Sequence, residues 1–181
     1  AIYIYIAQSL DGYIADKDGG VDWLNGIPNP AGSDFGFGEF MEGIDALVMG
    51  RKTFETVVGF GVWPYTEPVF VISSTLSKLP VEFKDKAFLL DLPPTEIINY
   101  LKTKGLEDLY IDGGSLIQSF LAENLIDEMI ITTVPVLLGG GISLFGDLDQ
   151  SQTFELISSQ VLAETLVKNH YQRTDTTTQN K

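Results

Sequence analysis

Apolar residues fall along this chain in short runs bounded by Gly, Pro, Asn and Asp, and the runs alternate with stretches of helical spacing. The first run, Ile2-Tyr3-Ile4-Tyr5-Ile6-Ala7, is apolar at every position and rich in β-branched and aromatic side chains. That is the pattern of a strand covered on both faces. Ala46-Leu47-Val48-Met49, Pro68-Val69-Phe70-Val71-Ile72-Ser73, Ala87-Phe88-Leu89-Leu90-Asp91 and Leu109-Tyr110-Ile111-Asp112 read the same way. Pro68 stands first in its run, where a strand tolerates a missing N–H. Residues 126–136 predict a longer strand, and 154–161 with 164–171 a closing antiparallel pair.

Helices are predicted over 34–44, from Arg51 through Val57, over 94–104, and after Gly113-Gly114-Ser115. In the first, Ser33 is the candidate cap and Phe35, Phe37, Phe40 and Met41 are the apolar anchors. Gly36 and Gly38 weaken it by about 1 kcal/mol each relative to Ala. Gly105 stops the third, in the usual C-terminal position. Strands alternating with helices, then a strand-rich end, predict an α/β domain with helices on both faces of a mainly parallel sheet and an antiparallel C-terminal edge. We expect one domain over 1–173 and a polar, frayed tail over 174–181. Residues 18–33, rich in Gly, Asn and Pro, form a loop long enough to be functional. Trp23 and Leu24 give that loop an apolar anchor.

Composition narrows the classes. Of 181 residues, 44% are apolar and 20% charged, which supports a packed core rather than disorder. Lys plus Arg number 11 against 25 Asp plus Glu, a net charge of −14. So anionic a surface disfavours nucleic acid and anionic lipid as partners. With no Cys and a single His, His170, there are no disulfides, thiolate zinc sites or Cys nucleophiles, and we expect no metal site. No apolar run approaches ~18 residues, and the start lacks a basic leader region. The expectation is a soluble, cytoplasmic protein acting on a small molecule.

Two strand-to-helix junctions stand out as candidate chemistry. In Val48-Met49-Gly50-Arg51-Lys52-Thr53, Gly50 lets a ligand approach the backbone, and the helix start offers free N–H groups and partial positive charge suited to phosphate. Arg51 is one of two arginines, the other being Arg173. A cation there opposes the helix dipole unless an anion is bound; an exposed, solvated Arg51-Lys52 pair is the alternative. In Asp112-Gly113-Gly114-Ser115, two glycines open the next helix, which fits pyrophosphate or simply a tight turn. Open α/β sheets bind ligands at the carboxyl ends of their strands, where both junctions lie. Ser73-Ser74-Thr75, with Lys78 nearby, ends another strand, and its hydroxyls suit a ribose phosphate or an ordinary turn.

For proton transfer the candidate is Asp34, between the Gly/Pro-rich loop and a run of aromatics. Partial desolvation there is expected to raise its pKa and make it a usable donor; capping the helix start is its other possible role. Asp11 reads as a turn residue beside Gly12. Tyr3, Tyr5 and the phenylalanines read as core, His170 as surface or satisfied packing, and Gly139-Gly140-Gly141 as a bulge or wide turn.

Four segments in order resemble the dihydrofolate reductase superfamily: Ile6-Ala7-Gln8-Ser9-Leu10-Asp11-Gly12-Tyr13-Ile14-Ala15, Val48-Met49-Gly50-Arg51-Lys52-Thr53-Phe54-Glu55, Asp112-Gly113-Gly114-Ser115-Leu116 and Pro135-Val136-Leu137-Leu138-Gly139-Gly140-Gly141. The first and last are more like the C-terminal reductase domain of the riboflavin-biosynthesis deaminase-reductase than like true dihydrofolate reductases. The resemblance implies a three-layer αβα fold, NADPH as hydride donor, and a pterin or ribosylamino-pyrimidine as substrate class. It implies that Ala7 and Ile14 border the nicotinamide. Gly50, Arg51, Lys52 and Thr53 would lie along the phosphates, with Arg51 facing the 2′-phosphate. Ser73 and Ser74 would meet the adenosine phosphate, and Gly113, Gly114, Ser115 and Leu116 the pyrophosphate. Asp34 would match the substrate-side carboxylate, and Trp23 the aromatic of a mobile loop over the substrate. Gly36 and Gly38 depart from the bulkier residues expected to line a pterin pocket. Relatives in that branch also imply a homodimer. A nucleotide-binding module without turnover and a purely structural oligomeric domain are the rival readings.

Overall fold

The computed structural model describes residues 1–174; all of the predicted tail but Thr174 lies outside them. The strands are β1 (Ile2–Ser9), β2 (Tyr13–Ala15), β3 (Ala46–Gly50), β4 (Val69–Ile72), β5 (Ala87–Leu90), β6 (Leu109–Asp112), β7 (Glu128–Val134), β8 (Ile142–Ser143), β9 (Phe154–Leu162) and β10 (Leu166–Arg173). The α-helices are α1 (Phe37–Glu42), α2 (Arg51–Gly59), α3 (Pro94–Thr103) and α4 (Gly114–Ala122). Eight strands form one sheet in the order β5-β4-β3-β6-β1-β7-β10-β9. Neighbours from β5 to β7 pair in parallel, and β10 runs antiparallel to both β7 and β9. The mainly parallel sheet with an antiparallel C-terminal edge is the one the sequence predicts.

The strands look apolar throughout because both faces of the sheet are covered. Ile4, Val48, Leu109 and Ile111 pack with Ile97 and Leu101 of α3 and with Ile117 and Phe120 of α4. The alternate residues Leu47, Met49, Val71 and Tyr110 pack with Met41 of α1 and Phe54 of α2, with Tyr3, Tyr5, Phe37 and Phe40 against them. The tyrosines and phenylalanines of this face are core, as expected. Each layer thus takes every second residue, the period of a strand.

Three local expectations change. The first helix is six residues long rather than running from Asp34, because Phe35 (φ 57°) and Gly36 (φ 89°) are left-handed and stop it at its start. Its N-cap is Gly36 and not Ser33, whose hydroxyl accepts only the Phe35 amide at 3.0 Å; the Asp34 carboxylate takes the Gly38 amide. The long strand after Ile126 is trimmed to β7: Pro135 follows it with no N–H to give, and Val136 turns back on the Val134 carbonyl. Gly139, Gly140 and Gly141 all have positive φ, and they bring β8 onto β2, a two-stranded pair too short to leave a sequence pattern. Asp11 serves this region. Its carboxylate accepts the Leu138 and Gly139 amides at 3.1 and 2.9 Å, so it fixes the glycine turn rather than only its own.

Candidate active site

The register Met49↔Asp112 sets the carboxyl ends of β3 and β6 side by side, so the two glycine junctions adjoin. Gly113 has φ 103°, and a Cβ on it would lie 2.6 Å from Thr53 Oγ1 and 3.9 Å from Gly50 N. A Cβ on Gly114 would lie 2.9 Å from Ile14 Cδ1 and 3.2 Å from Ile142 Cγ2. Gly50, Thr53, Gly113, Gly114 and Ile14, expected at one site from the resemblance, are therefore brought together. Gly50 itself faces open space, with nothing within 4 Å of the position a Cβ would take.

Neither α2 nor α4 has a side-chain cap or an acidic residue in its first turn. By contrast the Gly38 amide in the first turn of α1 is taken by Asp34, and α3 opens with Pro94 and carries Glu96. The first amides of a helix have no partner within it, and they carry about half a positive charge. Two such ends side by side, one beside an open glycine, form a cradle lined by helix amides, a setting suited to anions.

Arg51 sits at the mouth of this cradle. It is exposed, but it is not a merely solvated cation: Nε donates to Glu55 Oε2 at 3.1 Å and Nη1 donates to Thr75 Oγ1 at 3.0 Å. Ser73 Oγ accepts the amides of Thr75 and Leu76, both at 3.1 Å, and lies 3.2 Å from Thr75 Oγ1. The hydroxyl turn after β4 is thus an ordinary Ser turn that Arg51 also reaches. Lys52, Ser74 and Ser115 are exposed, and Leu116 is half-buried against the α3/α4 core.

The rise expected in the pKa of Asp34 does not appear. Asp34 is exposed, and its two oxygens accept the Gly36 amide at 2.9 Å and the Gly38 amide at 3.0 Å. Those amides, Gly36 first, hold its carboxyl below the usual carboxylate value, with Lys168 adding to the shift. It stays ionised near neutrality and holds the first turn of α1. The shifted acid is Asp112, which the sequence presents only as the last residue of a strand. It is half-buried, and desolvation pushes its carboxyl up to about 6, against the pull of the Gly113 amide. The available signal was a carboxylate ending an otherwise apolar strand just before two glycines.

Asp112 shares its face with Tyr110, whose hydroxyl donates to the Tyr5 carbonyl at 3.0 Å. Burial first, and the Asp112 charge second, push the Tyr65 hydroxyl well up. Tyr65 stands edge-on to Trp63, and Phe37 and Phe40 stand against Tyr5 and Tyr110. The result is an aromatic layer with an acid at its rim. Ala7, half-buried on β1, pairs with Thr132. Trp23 lies in a single 3-10 turn (Asp22–Leu24), half-buried, with its indole Nε1 shielded from solvent and without a partner. His170 is satisfied, with Nε2 at 2.7 Å from Glu128 Oε1.

The αβα sheet, with its strand-end cradle, has the fold of dihydrofolate-reductase-like proteins. It matches the dihydrofolate reductase of Enterococcus faecalis complexed with NADP(H) at a TM-score of 0.67 and 21% identity, over 96% of each chain. Within that fold the chain belongs to the RibD C-terminal domain family, whose model matches residues 1–168. A structure from Shewanella sp. PV-4, assigned provisionally to riboflavin biosynthesis, is 50% identical, with a TM-score of 0.93 over 96% of this chain and 99% of that one. YwjB of Bacillus subtilis, an uncharacterized protein, is 33% identical over 173 residues, 94% of this chain and 96% of its own. The family and the fold are the ones that the four sequence segments imply. No helix among the described residues is long and apolar enough to cross a membrane.

Proposed function

We propose that this protein is an NADPH-dependent reductase that delivers hydride to a polarised C=N or C=O carbon of a small heterocycle, a pterin or a ribosylamino-pyrimidine. The observation that carries this is the meeting of two uncapped helix starts at Gly50–Thr53 and Gly113–Ser115. The cradle fits a dinucleotide. Bound there, NADPH would supply the hydride, which is the difficult part of the chemistry. The chain's own residues do the rest. The first amides of α2 and α4, with Leu116 behind them, hold the pyrophosphate. Arg51, Lys52, Ser73 and Ser74 hold the ribose phosphate, and Ala7 and Ile14 border the nicotinamide.

The substrate lies on the aromatic layer beneath the 18–33 loop, with Trp23 excluding water. Asp112 holds the proton, because its desolvated carboxyl is the one protonated closest to neutrality. Asp34 sets the wall of the pocket by fixing the start of α1. The reductase is a single domain over 1–173, acts in the cytoplasm, and pairs as a homodimer through edge strand β9, where Leu156, Ile157 and Val161 are exposed. Sedimentation of the free protein checks that last point.

The function is tested by titrating NADPH and then adding dihydrofolate or a ribosylaminopyrimidine while following absorbance of the reduced nicotinamide. Cofactor at ~100 times its Kd should add about 2.7 kcal/mol of stability, and one of the acceptors should be reduced. Binding without oxidation would favour a nucleotide-binding module. No binding at all would refute both readings.

A further inference from the structure

Lys168 lies on β10, four strands along the sheet from β3, the strand that leads into α2. It pairs with Thr132, which pairs with Ala7, so its side chain shares the face of Tyr5 and α1. From there it crosses β7. Its Nζ lies 5.0 Å from the centre of the Tyr5 ring and donates to the Phe35 carbonyl at 2.8 Å. The Tyr5 hydroxyl donates to the same carbonyl at 2.9 Å. Phe35 and Gly36 are the two left-handed residues that start α1, and a Cβ on Gly36 would lie 2.8 Å from that ammonium.

The charge of Lys168 favours the neighbouring Asp34 carboxylate, but a direct ion pair does not account for the arrangement. Acidic residues outnumber basic ones 25 to 11, yet among the described residues Lys168 makes no ion pair within 4.0 Å. Its half-buried ammonium is directed instead onto a backbone carbonyl in a turn that a non-glycine residue adopts only under constraint. That turn joins the 18–33 loop to α1, whose Phe37 and Phe40 build the aromatic layer.

We propose that Lys168, assisted by Tyr5, is a positioning residue for the substrate: it clamps the Phe35 carbonyl and thereby fixes the α1 wall of the pocket from the penultimate strand of the sheet. This rests on the reductase reading for the word substrate, while the clamp itself does not. The test compares wild type with Lys168→Met, Lys168→Arg and Tyr5→Phe. Three quantities are read: NADPH Kd without acceptor, KM and kcat for whichever of dihydrofolate and ribosylaminopyrimidine is reduced, and amide exchange across residues 33–42.

Lys168→Met should raise KM about tenfold, leave NADPH Kd within about twofold, and speed exchange at 33–42 but not in α3. Lys168→Arg should restore most of both losses, and Tyr5→Phe should show the same pattern more weakly. Unchanged exchange at 33–42 in Lys168→Met would overturn the clamp, as would an arginine variant no better than methionine. If Lys168→Met fails to fold, Lys168→Arg and Tyr5→Phe decide: faster exchange confined to 33–42 in Tyr5→Phe supports the clamp, and its absence overturns it. Where NADPH binds but neither acceptor is reduced, the reductase reading fails and the exchange data still settle the clamp.

Discussion

The Thr53 hydroxyl, in the first turn of α2, stands where a side chain on Gly113 would have to go, although the two residues open different helices. One helix start is thereby packed onto the other, and their unsatisfied amides share one rim.

Gly113→Ala therefore meets two penalties, a φ of 103° and an atom 2.6 Å away. It should lose about 2 kcal/mol or more, a fall in Tm of roughly 4–8 °C, together with NADPH affinity. A thermal melt with and without cofactor checks both. A variant as stable as wild type would show that the two helix starts are not packed this closely.

Arg51→Ala removes the guanidinium now held by Glu55 and Thr75. A charged hydrogen bond contributes about 1.5–3 kcal/mol, so NADPH should bind roughly ten- to a hundredfold more weakly. NADH, lacking the 2′-phosphate, should change little. Equal losses for the two cofactors would remove Arg51 from that role.

Asp112 gives the pH dependence. Its folded pKa is raised from 3.8 to about 6, so the fold favours the protonated acid. The stability it contributes is complete below about pH 4 and lost as pH rises through about 6. Asp112→Asn, which mimics the protonated form, should therefore melt above wild type beyond about pH 7 and close to it near pH 4. Turnover by wild type should fall as pH passes about 6, and the Asn variant should be slow with no such limb. A limb that survives the substitution would place the proton elsewhere.

Asp34 runs the other way. Its depressed pKa means that its contribution is present above the ordinary carboxylate value and lost as pH falls through the lower, folded one. Asp34→Ala should lower Tm at neutral pH, and the difference from wild type should shrink in acid. NADPH affinity and the shape of the pH–rate profile should both stay as they are. A change in that profile would restore Asp34 as the proton donor.

The large elements were legible because each buried strand is a continuous apolar run closed by a turn residue: Gly50 at the end of β3, Gly113 after β6. The cradle was legible for the same reason, since both glycines lie at strand ends. Ser33 reads as a cap because it precedes the helix predicted from Asp34, and nothing local reveals that Phe35 and Gly36 turn left-handed. That conformation is imposed by Tyr5 and Lys168, 30 and 133 residues away along the chain. Asp112 was hidden for a related reason: its pKa is raised by burial, against the pull of its sequence neighbour Gly113.

A crystal of the protein soaked with NADPH tests the cradle most directly. The pyrophosphate should accept hydrogen bonds from the first amides of both α2 and α4, with the Arg51 guanidinium on the adenosine phosphate and the nicotinamide between Ala7 and Ile14. Cofactor bound elsewhere, with Gly50 and Gly113 facing only water, would contradict it.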